Sequence, residues 1–141
     1  MPNQPWSIAV VDDDESMCHA LARLLRAAGY GVQTYYSAEA YMDDPHHGDT
    51  DFLVADIQLR GMSGFDLQQR LSGEAHVPPV ALITAHDEAD VRERARTSGC
   101  AVYLRKPFPA TLLIGAIRRS LGETPAEPCN PFPQFAHKES K

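Results

Sequence analysis

No apolar run in the 141-residue chain approaches the roughly 20 residues needed to span a bilayer. Residues 1–7 contain neither a basic stretch nor a long apolar one, so no secretory signal is readable and the cytoplasm is the expected location. Cysteine is scarce. Cys18, Cys100 and Cys129 lie far apart, are odd in number and have no C-x-x-C spacing, which argues against a disulfide framework or a thiolate zinc site. Cys18 and Cys100 read as small core residues in a reducing compartment. Positive charge is also short: 13 Lys and Arg stand against 19 Asp and Glu, and a formal net charge of -6 lacks the footprint of a DNA-binding surface. With 43% hydrophobic and 23% charged residues, the composition is that of a globular domain, and the length allows one such domain with a short tail.

The chain carries short apolar runs, each followed by a helical pattern. Phe52-Leu53-Val54-Ala55 is too short for a buried helix and is bounded by Asp, so it reads as a strand buried on both faces of a parallel sheet. Runs at residues 7–11, 31–36, 80–83 and 101–104 complete five strands. After the first, Met17, Leu21, Leu24, Leu25 and Ala28 recur at helical spacing, with Asp13 or Asp14 as the natural N-cap. Ser37 is the expected cap of a short second helix, and residues 65–71 form the third. Residues 87–97 predict a helix with a thin apolar face of Ala89, Val91 and Ala95, weakly anchored and able to shift. Leu112, Leu113, Ala116, Ile117 and Leu121 mark the last helix. His46 and His47 lie in a polar loop without a third ligand at defined spacing, so they read as solvated residues. Prolines 125, 128, 131 and 133 mark 123–141 as an extended tail in which Phe132 and Phe135 are possible docking residues, leaving residues 6–122 as the domain.

Five strands alternating with five helices predict an α/β fold, a doubly wound parallel sheet of flavodoxin-like (βα)5 type with strand order 2-1-3-4-5. That order brings every flagged polar residue to one edge: Asp12 and Asp13 after the first strand, Asp56 after the third, Thr84 after the fourth and Lys106 after the fifth. Open α/β sheets bind ligands at that edge. Three converging carboxylates repel one another unless a cation holds them ionised, and an all-oxygen set suits Mg²⁺. A carboxylate nucleophile, a metal, an ammonium and a hydroxyl are the parts of an in-line phosphoryl transfer. Asp56, ending the central strand, is the nucleophile candidate, and the product would be an acyl phosphate on the protein. A haloacid-dehalogenase phosphatase is the nearest enzymatic competitor, since Asp12-x-Asp14-x-Ser16 loosely fits its D-x-D-x-T/V motif. That reading leaves Asp56 idle and lacks the later acidic pair.

Val10-Val11-Asp12-Asp13, Asp56 with Gly61-Met62-Ser63-Gly64, Ile83-Thr84-Ala85 and Lys106-Pro107-Phe108 together resemble the receiver domain of bacterial two-component response regulators. The resemblance implies that Asp56 accepts a phosphoryl group from a histidine kinase or a histidine phosphotransfer protein. It implies Mg²⁺ bound by Asp12, Asp13, Asp56 and the backbone carbonyl of Gln58. It makes Thr84 and Tyr103 switch residues, pairs Lys106 with the phosphoryl group, and implies a cis Lys106–Pro107 bond. Catalysis would be confined to the protein's own phosphorylation and dephosphorylation. The chain departs from the family at Arg60, where proline is common, so that loop has more freedom or presents a charge to a partner; Gln58 and His86 occupy positions that tune water access. From the short tail we expect a stand-alone receiver that acts by protein contact or shuttles phosphate between partners, with a homodimer through the fourth helix, fifth strand and fifth helix as one form, and no direct nucleic-acid or membrane partner. A receiver-like interaction module working without phosphorylation is the alternative.

Overall fold

A computed structural model describes residues 5–123. In chain order the elements are β1 (Ser7–Val11), α1 (Glu15–Ala27), β2 (Gly31–Tyr35), α2 (Ala38–Asp43), a 3-10 turn (His47–Asp49), β3 (Phe52–Asp56), α3 (Gly64–Leu71), β4 (Val80–Thr84), α4 (Ala89–Thr97), β5 (Val102–Arg105) and α5 (Ala110–Ser120). All strands pair in parallel in the order β2-β1-β3-β4-β5, the flavodoxin-like arrangement expected from the sequence. Every residue of β3 and β4 is buried, because helices cover both faces of the sheet.

Side chains leave each strand alternately, which divides the core in two. Ile8, Val10, Phe52, Val54, Ala81, Ile83 and Leu104 face α1 and α5, while Ala9, Val11, Leu53, Ala55, Leu82 and Tyr103 face α2, α3 and α4. Cys18 and Cys100 are buried in these layers, as expected of small apolar residues. Burial, reinforced by Asp12, pushes the Cys18 thiol up to about 11, so it stays protonated and inert near neutral pH. The tail residues Cys129, Phe132 and Phe135 lie outside the described residues. No helix among the described residues is long and apolar enough to cross a membrane.

Two local expectations need correction. The fourth helix begins at Ala89 and not at Asp87; Ala95 alone is fully buried in it, Val91 is half-buried and Ala89 is exposed. Its apolar face is therefore thinner than its sequence implies. His46 is solvated, with 82% of its side chain exposed, but His47 is not, at 17%. His47 Nδ1 lies 2.9 Å from the carbonyl oxygen of Asp44, and Nε2 lies 2.8 Å from Glu74 Oε1. Both partners only accept, so making both bonds requires both ring nitrogens to carry hydrogen.

His47 ties the loop before β3 to the loop before β4, through both ring nitrogens when it is protonated. The bond to the Asp44 carbonyl, opposed by burial and reinforced by Glu74, holds its pKa above the ordinary histidine value. A raised histidine pKa contributes stability that is complete below the unfolded value of about 6.5 and is lost as pH rises through the folded one. We therefore expect the urea-unfolding advantage of the wild type over His47→Gln to shrink as pH rises from 6 through the His47 pKa. A pH-independent difference would show that the imidazolium is not what the clamp uses.

Candidate active site

The parallel register sets Val11 beside Ala55, so the next residues, Asp12 and Asp56, emerge side by side at the carboxyl edge of the sheet. Both are buried, at 0% and 6% exposure, in a place where an uncompensated charge is costly. The compensation arrives from the far strand. Lys106, just past β5, puts its Nζ 3.0 Å from Asp12 Oδ2 and 2.7 Å from Asp56 Oδ2. Its own amide donates to the Thr84 carbonyl at 2.7 Å, and its peptide bond to Pro107 is cis, in line with the resemblance.

The second oxygen of each carboxylate is held by the backbone that follows it: Asp12 Oδ1 accepts from the Asp14 amide and Asp56 Oδ1 from the Gln58 amide, at 2.9 and 2.8 Å. Burial above all, with Asp12 adding repulsion, raises the Asp56 pKa against the pull of Lys106. For Lys106, burial works downward but the bonds to Asp56 and Asp12 outweigh it, and the pKa is raised. Lys106 is therefore a fixed cation, and with the Gln58 amide it offsets the burial cost of an ionised Asp56.

Asp13, expected to converge with the other two, does not. Its Oδ2 accepts from the Arg60 amide at 3.4 Å and lies 3.8 Å from the Arg60 Nε. Arg60 supplies an N–H there that a proline lacks. Among the described residues, no three His, Cys, Asp or Glu side chains group closely enough to hold a metal ion. The donors around this edge, Asp12, Asp13, Asp56 and the Gln58 carbonyl, are nonetheless all oxygen, which fits Mg²⁺ and not a softer metal. The capping role is separate: Asp14 is the N-cap of α1, accepting from Ser16 and Met17, so neither Asp12 nor Asp13 is needed for it.

Thr84 is fully buried and its hydroxyl donates to Gln58 Oε1, while accepting from the His86 amide at 2.9 Å. Tyr103, beside Leu82 in the β4–β5 register, is buried in the layer that faces α2, α3 and α4, with its hydroxyl donating to Asp87. Three supports are not identifiable from the sequence pattern. Asp87 reads there as helix, whereas it precedes α4. Glu39 of α2 reaches across to accept from the Met62 amide at 2.8 Å, bracing the loop beyond Asp56. Gly64 reads only as a turn residue, yet a Cβ there would sit 2.5 Å from the Asp56 carbonyl oxygen and 2.9 Å from the Ile57 Cα. The glycine lets the start of α3 pack directly on the backbone that carries Asp56.

Two substitutions test this geometry. Gly64→Ala adds a methyl against backbone that has nowhere to go, and we expect it to cost about 1–3 kcal/mol despite the better helix propensity of alanine; a neutral or stabilising result would refute the close approach. For Asp56 the sign follows from its raised pKa: the stability increment is complete below the ordinary value of 3.8 and lost as pH rises through the folded value. Asp56→Asn should therefore be more resistant to urea than the wild type at pH 7, with the gap closing towards pH 4. A gap that widens on acidification would contradict the burial argument.

The family described as the response regulator receiver domain matches residues 8–118. The chain is 30% identical over 130 residues to the response regulator protein TodT of Pseudomonas putida, covering 92% of this chain and 57% of that one. It is 32% identical over 117 residues to the transcriptional regulatory protein FixJ of Azorhizobium caulinodans, covering 83% and 56%. The chain thus spans little more than half the length of these curated relatives. Among solved structures, a response regulator receiver protein from Burkholderia phymatum is 38% identical with a TM-score of 0.74, over 86% of this chain and 99% of that one. The structure titled FixJ-N is 30% identical, also with a TM-score of 0.74, over 88% and 99%. With its fold, its paired acidic strand ends and these matches in agreement, the chain belongs to the response regulator receiver domain family of two-component systems.

Proposed function

We infer that the protein is a phosphoacceptor in two-component signalling, and that Asp56 receives the phosphoryl group from a histidine kinase or a histidine phosphotransfer protein. The observation that carries this reading is the placement of the Lys106 ammonium 2.7 Å from a buried carboxylate at the end of the central strand. A carboxylate oxygen of Asp56 attacks phosphorus in line, the bond from phosphorus to the donor nitrogen breaks, and an acyl phosphate forms on the protein. Lys106 moves from pairing the carboxylate to pairing a phosphoryl oxygen without leaving its place. Thr84, now bonded to Gln58, has the hydroxyl to donate to a second oxygen once released.

Asp12, Asp13, Asp56 and the Gln58 carbonyl would hold Mg²⁺, with Asp13 leaving Arg60 to do so. Bound there, the ion supplies the positive charge that a dianionic phosphoryl group needs among carboxylates. The net charge of -6 fits a protein that meets other proteins and not nucleic acid directly. Contact through α4, β5 and α5, between copies or with a target, is the output we propose, with the cytoplasm as its setting.

Incubation of the full chain with Mg²⁺ and acetyl phosphate, read by intact mass, tests the assignment. We expect one added phosphoryl group in the wild type, and none in Asp56→Asn or when the metal is chelated with EDTA. A wild type that stays unmodified would indicate an interaction module working without phosphorylation. An adduct undiminished in Asp56→Asn would place the acceptor elsewhere.

A further inference from the structure

Tyr103 is fully buried in β5 and shares its core layer with Ala95 and Val91 of α4. Its hydroxyl donates to Asp87 Oδ1 at 2.6 Å. The same oxygen lies 3.3 Å from Arg92 Nε, so one carboxylate oxygen faces both the tyrosine hydroxyl and the helix. Asp87 and Arg92 are themselves largely sequestered, with 14% and 25% of their side chains exposed. A charge pair so placed is screened little by solvent.

The contact is also incomplete. Arg92 Nε is buried and, among the described residues, has no hydrogen-bond partner, although Asp87 Oδ1 is within reach. The N–H is close to the oxygen without being aligned on it. A buried donor left unsatisfied costs free energy, and a small displacement of α4 changes that cost. The rest of α4 makes this consequential. Its carboxyl-terminal half is held by Arg94 over the Phe65 ring at 4.3 Å and by Gln68 donating to the Ser98 carbonyl. Only Ala95 is fully buried in the helix, and at the amino-terminal end the half-buried Val91 and the Asp87–Arg92 pair make the attachment.

We propose that Asp87 is a positioning residue that keeps Tyr103 buried and couples it to α4 through Arg92, so that the loop after Thr84, the tyrosine ring and the start of α4 move as one unit. The link to the active edge is short. The Thr84 hydroxyl accepts from the His86 amide, and Asp87 is the next residue, so a change of partner at Thr84 displaces the backbone that carries Asp87. In its signalling role the proposal rests on the reading of Asp56 as phosphoacceptor.

The two halves of the coupling separate by substitution. Asn at position 87 retains an oxygen to accept the tyrosine hydroxyl but has no charge for Arg92, whereas Ala offers neither. The full chain labelled with 3-fluorotyrosine gives a ¹⁹F resonance for Tyr103, identified by its loss in Tyr103→Phe. In the unphosphorylated protein we expect Asp87→Ala to move that resonance to a solvent-exposed position and Asp87→Asn to leave it buried. Amide hydrogen exchange in α4 should quicken about fivefold in Asp87→Asn, Asp87→Ala and Arg92→Gln alike, the scale of coupling usual between contacting residues. After acetyl phosphate treatment, the wild type should show altered α4 exchange, and Asp87→Ala should take the phosphoryl adduct without that response. A buried resonance in Asp87→Ala, or wild-type α4 exchange in Asp87→Asn, overturns the proposal. If Asp87→Ala does not fold, the exchange rates of Asp87→Asn and Arg92→Gln decide it. Absence of an adduct on the wild type would defeat the phosphoacceptor reading, while the ¹⁹F and exchange results of the unphosphorylated protein would still decide the coupling independently.

Discussion

The arrangement depends on a single ammonium group. Asp12 and Asp56 are buried side by side because the β1–β3 register leaves them no alternative, and two adjacent buried carboxylates are mutually repulsive. Lys106 removes that conflict by spanning both, from a strand that lies two places away from β3 in the sheet. Each oxygen of the carboxylate pair has one partner: the Asp14 and Gln58 amides hold the two Oδ1 atoms, and the Lys106 ammonium holds the two Oδ2 atoms. The desolvation penalty of burying three charged groups makes such an ion triad a poor source of stability, so its presence is not explained by packing.

Around that centre the structure is stiff on one side and loose on the other. The loop beyond Asp56 is braced from several directions. Glu39 accepts from Met62, the Ser63 hydroxyl and the Asp66 carboxylate close a reciprocal capping box at the start of α3, and Gly64 rests against the Asp56 backbone. On the opposite side, α4 buries a single alanine fully and depends on polar and charged contacts at its ends. A braced loop beside a lightly held helix is a physical asymmetry: under any local perturbation the weakest attachment yields first.

Much of the fold is legible in the sequence because it follows from local pattern. Fully apolar runs of four or five residues identify strands covered on both faces, and their alternation with helices leaves one common sheet order. The strand ends are legible for the same reason: once the order is set, Asp12, Asp56, Thr84 and Lys106 fall at one edge whatever the rest of the chain does. The departures lie where a side chain chooses among partners far away in sequence. Asp13 follows Asp12 directly, yet it turns to Arg60, 47 residues on. His47 looks as solvated as His46 in the sequence, but Glu74, 27 residues later, closes on it.

The sequence by itself determined the order of the elements, the residues that end each strand, and a charge balance that requires a cation among the carboxylates. Periodicity and backbone preference act over a few residues, so they are written into the chain directly. Only the tertiary structure decided which carboxylates pair with Lys106, which one turns aside to Arg60, and that Tyr103 is held through Asp87 to α4. Those outcomes rest on distances of a few ångströms between residues as many as 94 positions apart, and no local pattern encodes them.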